Sequence, residues 1–425
     1  MPTSRCRSFA FYTTLALSTL LMAPDGAGAD TVTASSCSQS AVAAAIAAAS
    51  VGDIVQVPAG NCSWSGLSIN KAIHLRGAGV GQTRITLSGN NTVTKQAAGV
   101  TRITDFSFSK SGGGTAAKGW TVGGSWQNAQ PVIFARNDYV ISNSGLFRIE
   151  VAGGVIIAES TFRGEWDDSF LQLKDSSDSG GSWRTADTIG TRDVDGRLNI
   201  YIESNTFTGG TNQGLDADDA VRLVYRHNTA ITSSVNSHGW DTSPVGVRHW
   251  EVYDNVFQHP GGNCTTQLCN QNWLILMRGG TGVITDNRFV DIAGSYWGQK
   301  AELSFWIRGA EDARPQGSCS NVRYPVPRQV GQNHNGTAYF TDPVRIWNNS
   351  GPQDITAEWR FGNPCGLRFS DFWQEGRDYA FSPRPGYQKY PYPHPLLNAS
   401  NPTPPPPPPP PTPPSAPRNL RVVTQ

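Results

Sequence analysis

ESNTF (203–207), YRHNTA (225–230), VYDNVF (252–257) and VITDNRF (283–289) are four versions of one phrase. A few β-branched or aromatic residues alternate, then come Asn, any residue, and Phe or a small substitute. DFSF (105–108), ESTF (159–162) and RIWNNS (345–350) repeat it less completely. Asn205, Asn228, Asn255 and Asn287 are 23, 27 and 32 residues apart. The steps are unequal but share a floor of about 22, as in repeat architectures that carry insertions. Three short strands and three turns make one turn of a wide coil of that length, and loops inserted at the corners leave the stack intact. Asn at the strand end is expected to supply the left-handed backbone of a tight turn, with its amide bonded to the next Asn along the stack. Phe two residues later points inward onto the Phe below. A coil cannot bury its own apolar face, so coils stack at the strand spacing of about 4.8 Å. The predicted fold is all-β, a right-handed parallel β-helix over residues 51–350 with roughly ten coils.

Outward from this repeat, the stretch 30–50 predicts a short N-terminal helix. Val42, Ile46 and Ala49 share a face, Ser38 or Ser40 is the N-cap and Gly52 the stop. It would cover the open end of the first coil, as terminal caps must. Residues 1–29 have the pattern of a signal peptide: Arg5 and Arg7, the apolar stretch Phe9 to Met22, and Ala27-Gly28-Ala29 before Asp30. No other run is long enough for a membrane span. Residues 351–400 are expected to form an irregular wrap, Pro- and Tyr-rich, along the outside of the coil. A Pro-rich linker (401–417) is expected to be an extended spacer, followed by a tail (418–425).

The 425 residues carry 34 Lys+Arg against 33 Asp+Glu, a net charge of +1, which excludes a strongly basic nucleic-acid binder. Only 7 of the cations are Lys. The Arg bias leaves room for an acidic ligand, because Arg grips carboxylates bidentately. Without the signal, Cys37, Cys62, Cys264, Cys269, Cys319 and Cys365 are left, an even set in an exported chain, which suggests disulfides. Neighbour pairing gives Cys37–Cys62, Cys264–Cys269 and Cys319–Cys365, one of fifteen connectivities. The spacings do not suit zinc. The glycines of GAGVG (77–81) follow a strand but precede no helix, so they are turn residues rather than a nucleotide loop.

IVQVPAGNCSWSGLSINKAIHLRGAG (54–79), HWEVYDNVF (249–257) and MRGGTGVITDNRF (277–289) resemble exported right-handed parallel β-helix proteins of the pectate-lyase superfamily. The resemblance spans about residues 35–350. It implies the fold and leaves the reaction open, since this fold hosts lyases, hydrolases, epimerases, esterases and binders.

Equivalent positions of stacked coils lie above one another, so residues far apart in sequence converge. Counting back from the repeat Asn, Asp219 and Arg278 each fall nine residues before theirs. His238 and Arg308 head neighbouring coils. A stripe of Asp219, His238, Arg278 and Arg308 is therefore predicted on one face. Asp216, Asp218 and Asp241 flank it, with Glu165, Asp167 and Asp168 below. Asp218 and Asp219 could act as an acid/base pair. Asp216 and Asp218 could instead hold Ca²⁺, the one cofactor the residues suggest. His238 would be base or orienter, and Arg278 and Arg308 would neutralise developing charge. The order D-D (218–219), H-G (238–239), Arg278 is similar to polygalacturonase-type hydrolases, but their N-x-D is absent and Gly-Gly follows Arg278. Each motif also has a plain structural reading: a polar turn at 216–219, a buried stacking histidine at 238, a turn brace at 278.

The 13 Trp are about twice a typical share. Trp166, Trp240 and Trp306, with Trp273 and Trp297, fall within or beside the stripe, where flat aromatic faces could stack on sugar rings. Trp166, Asp168, Trp240, Asp241 and Trp306 are thus the candidate substrate contacts. The insertion 310–343 could wall the cleft. The sequence predicts a secreted (extracellular or periplasmic) enzyme, a monomer, that cleaves an acidic extracellular polysaccharide. A lyase stands slightly ahead of a glycoside hydrolase. The alternative is a non-catalytic glycan-binding or adhesion solenoid.

Overall fold

The computed structural model describes residues 29–111, 119–124, 129–142, 147–151, 153–164, 169–174, 193, 196–209, 213–218, 220–237, 247–259, 273–292, 301–307, 324, 328–335, 337–359, 365–398 and 420–422. The chain is an all-β parallel β-helix. It visits three sheets in turn, and each sheet is assembled from every third strand. The first sheet has twelve strands, from Thr31–Thr33 to Tyr379–Ala380. The second has nine, from Gly60–Trp64 to Arg288–Val290. The third has eleven, from Ser68–Ile69 to Gln353–Trp359 and Leu420–Val422. The second sheet marks nine complete coils. Val344–Trp347 and Gln353–Trp359 add one more, joined on the second side by the Ser350–Arg288 bridge. The ladder therefore runs past the expected boundary at residue 350.

The repeat Asn residues form a buried ladder. Asn228 Oδ1 accepts the Asn205 N–H (2.9 Å), Asn255 Oδ1 that of Asn228 (2.9 Å), and Asn287 Oδ1 that of Asn255 (3.1 Å). Asn349 continues it upward; downward, Ser160 stands in between Asn205 and Asn137. The backbone expectation needs correcting. The left-handed residue is the one before each Asn: Ser204, His227, Asp254, Asp286 and Asn348 have φ of 52–58°. The bend precedes the Asn, whose amide is then free to lie along the stack.

Two residues beyond each Asn an aromatic column fills the interior. Tyr139 stacks on Phe162 (4.5 Å), Phe162 on Phe207 (4.7 Å) and Phe257 on Phe289 (5.4 Å). At the coil where Ala230 replaces Phe, Tyr225 bridges Phe207 and Phe257.

The helix spans Gln39–Ala48 with Ser38 as N-cap, its Oγ accepting from Ala41 N–H, and buries Val42, Ala45 and Ile46. It stops at Ala49, before Gly52. Lys71 Nζ donates to the terminal carbonyls of Ile46, Ala47 and Ala49 (3.2, 2.7 and 2.7 Å), which caps the helix with a cation where its dipole favours one. Cys37 and Cys62 form a disulfide that ties the helix entry to the first second-sheet strand. Gly60 is required there, because a Cβ would sit 2.6 Å from Cys37 Sγ. Cys365 is also disulfide-bonded; Cys264, Cys269 and Cys319 lie outside the described residues. At the other end Trp373 stacks on Phe305 (5.4 Å) and Tyr379 (4.7 Å) and closes the core.

From Tyr387 the chain runs back along the outer face of the first sheet. Tyr387 Oη donates to Glu251, Lys389 pairs with Asp254 and Asp286, and Arg226 donates to the Tyr390 carbonyl. The His394 N–H donates to Glu203, and Arg102 to the Leu396 carbonyl. This segment is a strap across the coils. Tyr387 and Tyr390 are spent on the sheet. Among the described residues no helix is long and apolar enough to cross a membrane.

Candidate functional site

In the third-sheet strand Gln213–Asp218, Leu215 and Ala217 belong to the core. Alternation then sends Asp216 and Asp218 to the sheet's outer face. Both are buried, at 1% exposure each, so this face is covered rather than open at these coils. Asp218 pairs with Lys174 Nζ at 2.7 Å, one coil below. Asp216 accepts long contacts from Gln172 Nε2 and Asn236 Nδ2, both 3.4 Å, from the coils on either side.

Register corrects one expected partner. Ala217 is level with Ser237, and Asn236 with Leu276. The residue level with Arg278, one position beyond those pairs, is Asp218 and not Asp219. Counting from the Asn fails by one because the corner at Asp219–Val221 and the corner at Gly279–Gly280 differ in length. Asp218 and Arg278 stand two coils apart, roughly 10 Å at the backbone. Arg278 is buried, and its Nε donates to the Ser237 carbonyl at 2.6 Å, while its N–H donates to Ser237 Oγ at 3.0 Å. Its guanidinium is thus folded back onto the neighbouring coil, as a turn brace would be.

Asp219, His238, Arg308, Trp166, Asp168, Trp240, Asp241, Glu165, Asp167 and Trp297 lie outside the described residues. Trp306 belongs to the strand Ala301–Ile307 and is level with Glu358. Trp273 opens its strand at the end opposite Arg278. Trp250 is a core residue whose Nε1 donates to the Gly279 carbonyl (3.0 Å) and braces the Arg278 corner from inside. Among the described residues no three His, Cys, Asp or Glu side chains converge as a metal site. Asp216 and Asp218 would be two oxygen ligands of the six to eight that Ca²⁺ takes.

A hairpin, Gln332–His334 with Tyr339–Thr341, sits on the corner that follows Asp218 and Arg278. The Gly331 N–H donates to the Gly280 carbonyl (2.8 Å), Arg248 reaches the His334 carbonyl (3.4 Å), and Thr281 Oγ1 donates to the Asp342 carbonyl (2.7 Å). Tyr339 packs on Ala220. Gly280 permits the close fit: its φ is +68° and a Cβ would lie 2.2 Å from the Arg248 carbonyl oxygen. Asp342 is gripped by Arg384 at 2.8 and 3.0 Å and by Asn333. The hairpin lies within the insertion 310–343 that was expected to wall the cleft, whereas Lys174, Gln172, Asn236 and Ser237 were missed in the sequence. The only signal for them was the third-sheet register, which the long corner insertions hide.

No family model matches the chain, and no curated protein matches it. Two solved structures are similar to it: the catalytic domain of a GH87 alpha-1,3-glucanase in complex with nigerose, and a variant of that domain in the same complex. Each is 10% identical, covers 85% of this chain and 69% of its own, and superposes with a TM-score of 0.28. So loose a likeness carries no weight for the reaction. Of the resemblance read from the sequence, the parallel β-helix is the part that the sheets themselves establish.

Proposed function

We propose that the protein is a secreted enzyme that cleaves glycosidic bonds of an extracellular polysaccharide at the outer face of the third sheet. The observation that carries this reading is the placement of Asp216, Asp218 and Arg278 on that one face, flanked by coils whose strands, ending at Lys174, Ser237 and Ile307, lead into the long connections 175–199, 238–248 and 308–343. Rigid strands holding charged groups under long loops are the usual ground for a site. Asp216 and Asp218 are two residues apart on one strand face, roughly 6.6 Å at the backbone. Side chains leaving one face at that backbone spacing can reach the carboxyl separation of roughly 6.5–9.5 Å that suits a general acid and a general base with a water between them. This supports hydrolysis; the elimination version leans on His238 as base with Arg278 and Arg308, and takes an acidic polymer.

One observation favours a second reading. Asp216 and Asp218 are buried at 1% exposure, Lys174 engages Asp218, and the Ser237 backbone engages Arg278, as in a structural ladder, and the solenoid would then bind glycan elsewhere on its surface without cutting it. The full chain should be incubated with neutral and uronate polysaccharides. New reducing ends without ultraviolet absorbance mean hydrolysis; an unsaturated, absorbing product means elimination. Asp218→Asn is expected to lower kcat about 100-fold or more, as loss of an acid/base group does. Binding without product, unaffected by Asp218→Asn, would establish the second reading and end the first.

A further inference from the structure

The outer face of the first sheet carries an apolar patch of Ile133, Ile156, Tyr201 and Val224 that is separate from the main core. Tyr390, Leu396 and Leu397 of the strap cover it. The far end of the strap is organised by His394. Its N–H donates to Glu203 Oε1 (2.8 Å), its carbonyl accepts the Leu397 N–H (2.9 Å), and its ring Nδ1 accepts the Leu396 N–H (3.2 Å). An imidazole that accepts at Nδ1 is neutral and carries its proton at Nε2. Here Nε2 is buried with no hydrogen-bond partner among the described residues. A second proton can go only to Nδ1, where it displaces the Leu396 N–H.

The surroundings give the new charge nowhere to go. The first sheet presents Glu203, already paired with Arg226 (2.7 Å), and the Tyr201 ring, 4.6 Å from the imidazole. The loop below presents Gly196 against Nε2, beside Arg197 and beside Asp193, whose carboxylate accepts the N–H groups of Arg197, Leu198 and Asn199. One coil along, the His227 ring stacks on the strap's Tyr392 at 3.5 Å. It faces Asp254 (3.5 Å), Arg226, Lys389 and the Tyr253 ring. Lys389 in turn holds Asp254 and Asp286, and beyond it Tyr387 bonds Glu251, which faces His249.

We propose that residues 387–398 are an acid-released latch: protonation of His394, joined by His227, lifts the strap from the first sheet and uncovers the apolar patch. The sign follows from where each proton is welcome. In the closed strap, burial and then Arg226 push His394 down to about 3. Burial pushes His227 down to about 4, although Asp254 pulls the other way. Freed into water, each returns to about 6.5. The open form therefore binds protons that the closed form refuses. Below that pH its population rises about tenfold per pH unit for each histidine. Between pH 6.5 and 4.5 His394 alone supplies about 50-fold, and the pair about 2,000-fold.

Hydrogen exchange on the full chain, corrected for intrinsic rate, tests this at the His394, Leu396 and Leu397 amides. Protection is expected to fall about 100-fold or more from pH 6.5 to 4.5, while core amides such as Ile157 and Ile202 hold. His394→Asn keeps an acceptor for Leu396 but does not titrate, and should remove about 50-fold of the change. His394→Asn with His227→Gln should leave the profile flat. Unchanged wild-type protection, or an equal loss in the double variant, would overturn the latch. An apolar dye read on the wild type needs no variant. Binding that rises reversibly at pH 4.5 with the near-ultraviolet signal of the core intact supports the latch; binding that does not rise, or rises only as that signal is lost, refutes it.

Discussion

At the scale of single residues, the ladder asparagines decide the stack. Asn255 shows what the amide does there. Its Oδ1 accepts the buried Asn228 N–H, while its Nδ2 donates to the Tyr225 carbonyl (2.9 Å) and to Asn287 Oδ1 (2.9 Å). Acceptor and donors are needed in one planar group that lies along the stack. Asn255→Ala strands a buried N–H and a buried carbonyl, each costing about 1–3 kcal/mol. A loss of about 2–4 kcal/mol is expected in equilibrium denaturation. Asn255→Asp keeps the acceptor but sets a carboxylate against Asn287 Oδ1, and should cost at least as much. A loss below about 1 kcal/mol for either would show that water replaces the amide. The ladder was legible because its chemistry repeats in the sequence as N-x-F. The left-handed residue was not: Ser204, His227, Asp254 and Asp286 are of three types, so no single side chain marks the bend as Asn marks the bond.

At the scale of elements, the strap shows what periodicity cannot reveal. Residues 387–398 have no repeat and no strand, and the His394 N–H finds Glu203 across 191 residues. Its strength lies in a buried ion pair. Arg226 and Glu203 are both 0% exposed; the guanidinium donates to Glu203, Tyr253 Oη (3.0 Å) and the Tyr390 carbonyl (2.9 Å), with the Tyr201 ring 5.2 Å away. Removing one partner leaves the other charged in a dry place, at about 3–5 kcal/mol. Arg226→Met is expected to destabilise by that amount and to expose the strap to proteolysis first. Arg226→Met with Glu203→Gln should recover most of the loss, since the isolated charge is gone. If the double variant is no more stable than the single one, the hydrogen bonds to Tyr253 and Tyr390, rather than the charge, hold the strap. The same blindness explains the site. The face of Asp216, Asp218 and Arg278 could be guessed from order along the chain, but the partners Lys174 and Ser237 come from register. Insertions of unequal length made the count slip from Asp218 to Asp219.

At the scale of the whole molecule, a solenoid is a one-dimensional stack in which each coil touches mainly its neighbours. The two ends are closed by unlike devices: the helix Gln39–Ala48 at one, the Phe305–Trp373–Tyr379 stack at the other. The first is fastened by the Cys37–Cys62 disulfide, by Lys71 on the helix carbonyls and by Trp64 Nε1 donating to the Cys37 carbonyl (3.0 Å). A disulfide spanning 25 residues restricts the unfolded chain by about 3 kcal/mol on the chain-entropy account. In a fully cooperative globule its reduction would lower the stability of every amide together. In a stack with neighbour coupling the loss stays near the end, because coils above the fray keep their own contacts. Reduction of the full chain under mild conditions is therefore expected to speed hydrogen exchange in Val55, Leu75 and Ile85, while the amides of Asn205, Asn228 and Asn255 keep their protection. The strap adds a sharper condition. It bridges the middle coils, from Arg102 at one end to Asp286 at the other, and should stop the fray where it begins, near Arg102. Fraying that passes through that coil into the Asn ladder would mean that the strap does not couple the coils and that the stack, once opened at its first coil, unzips as a whole.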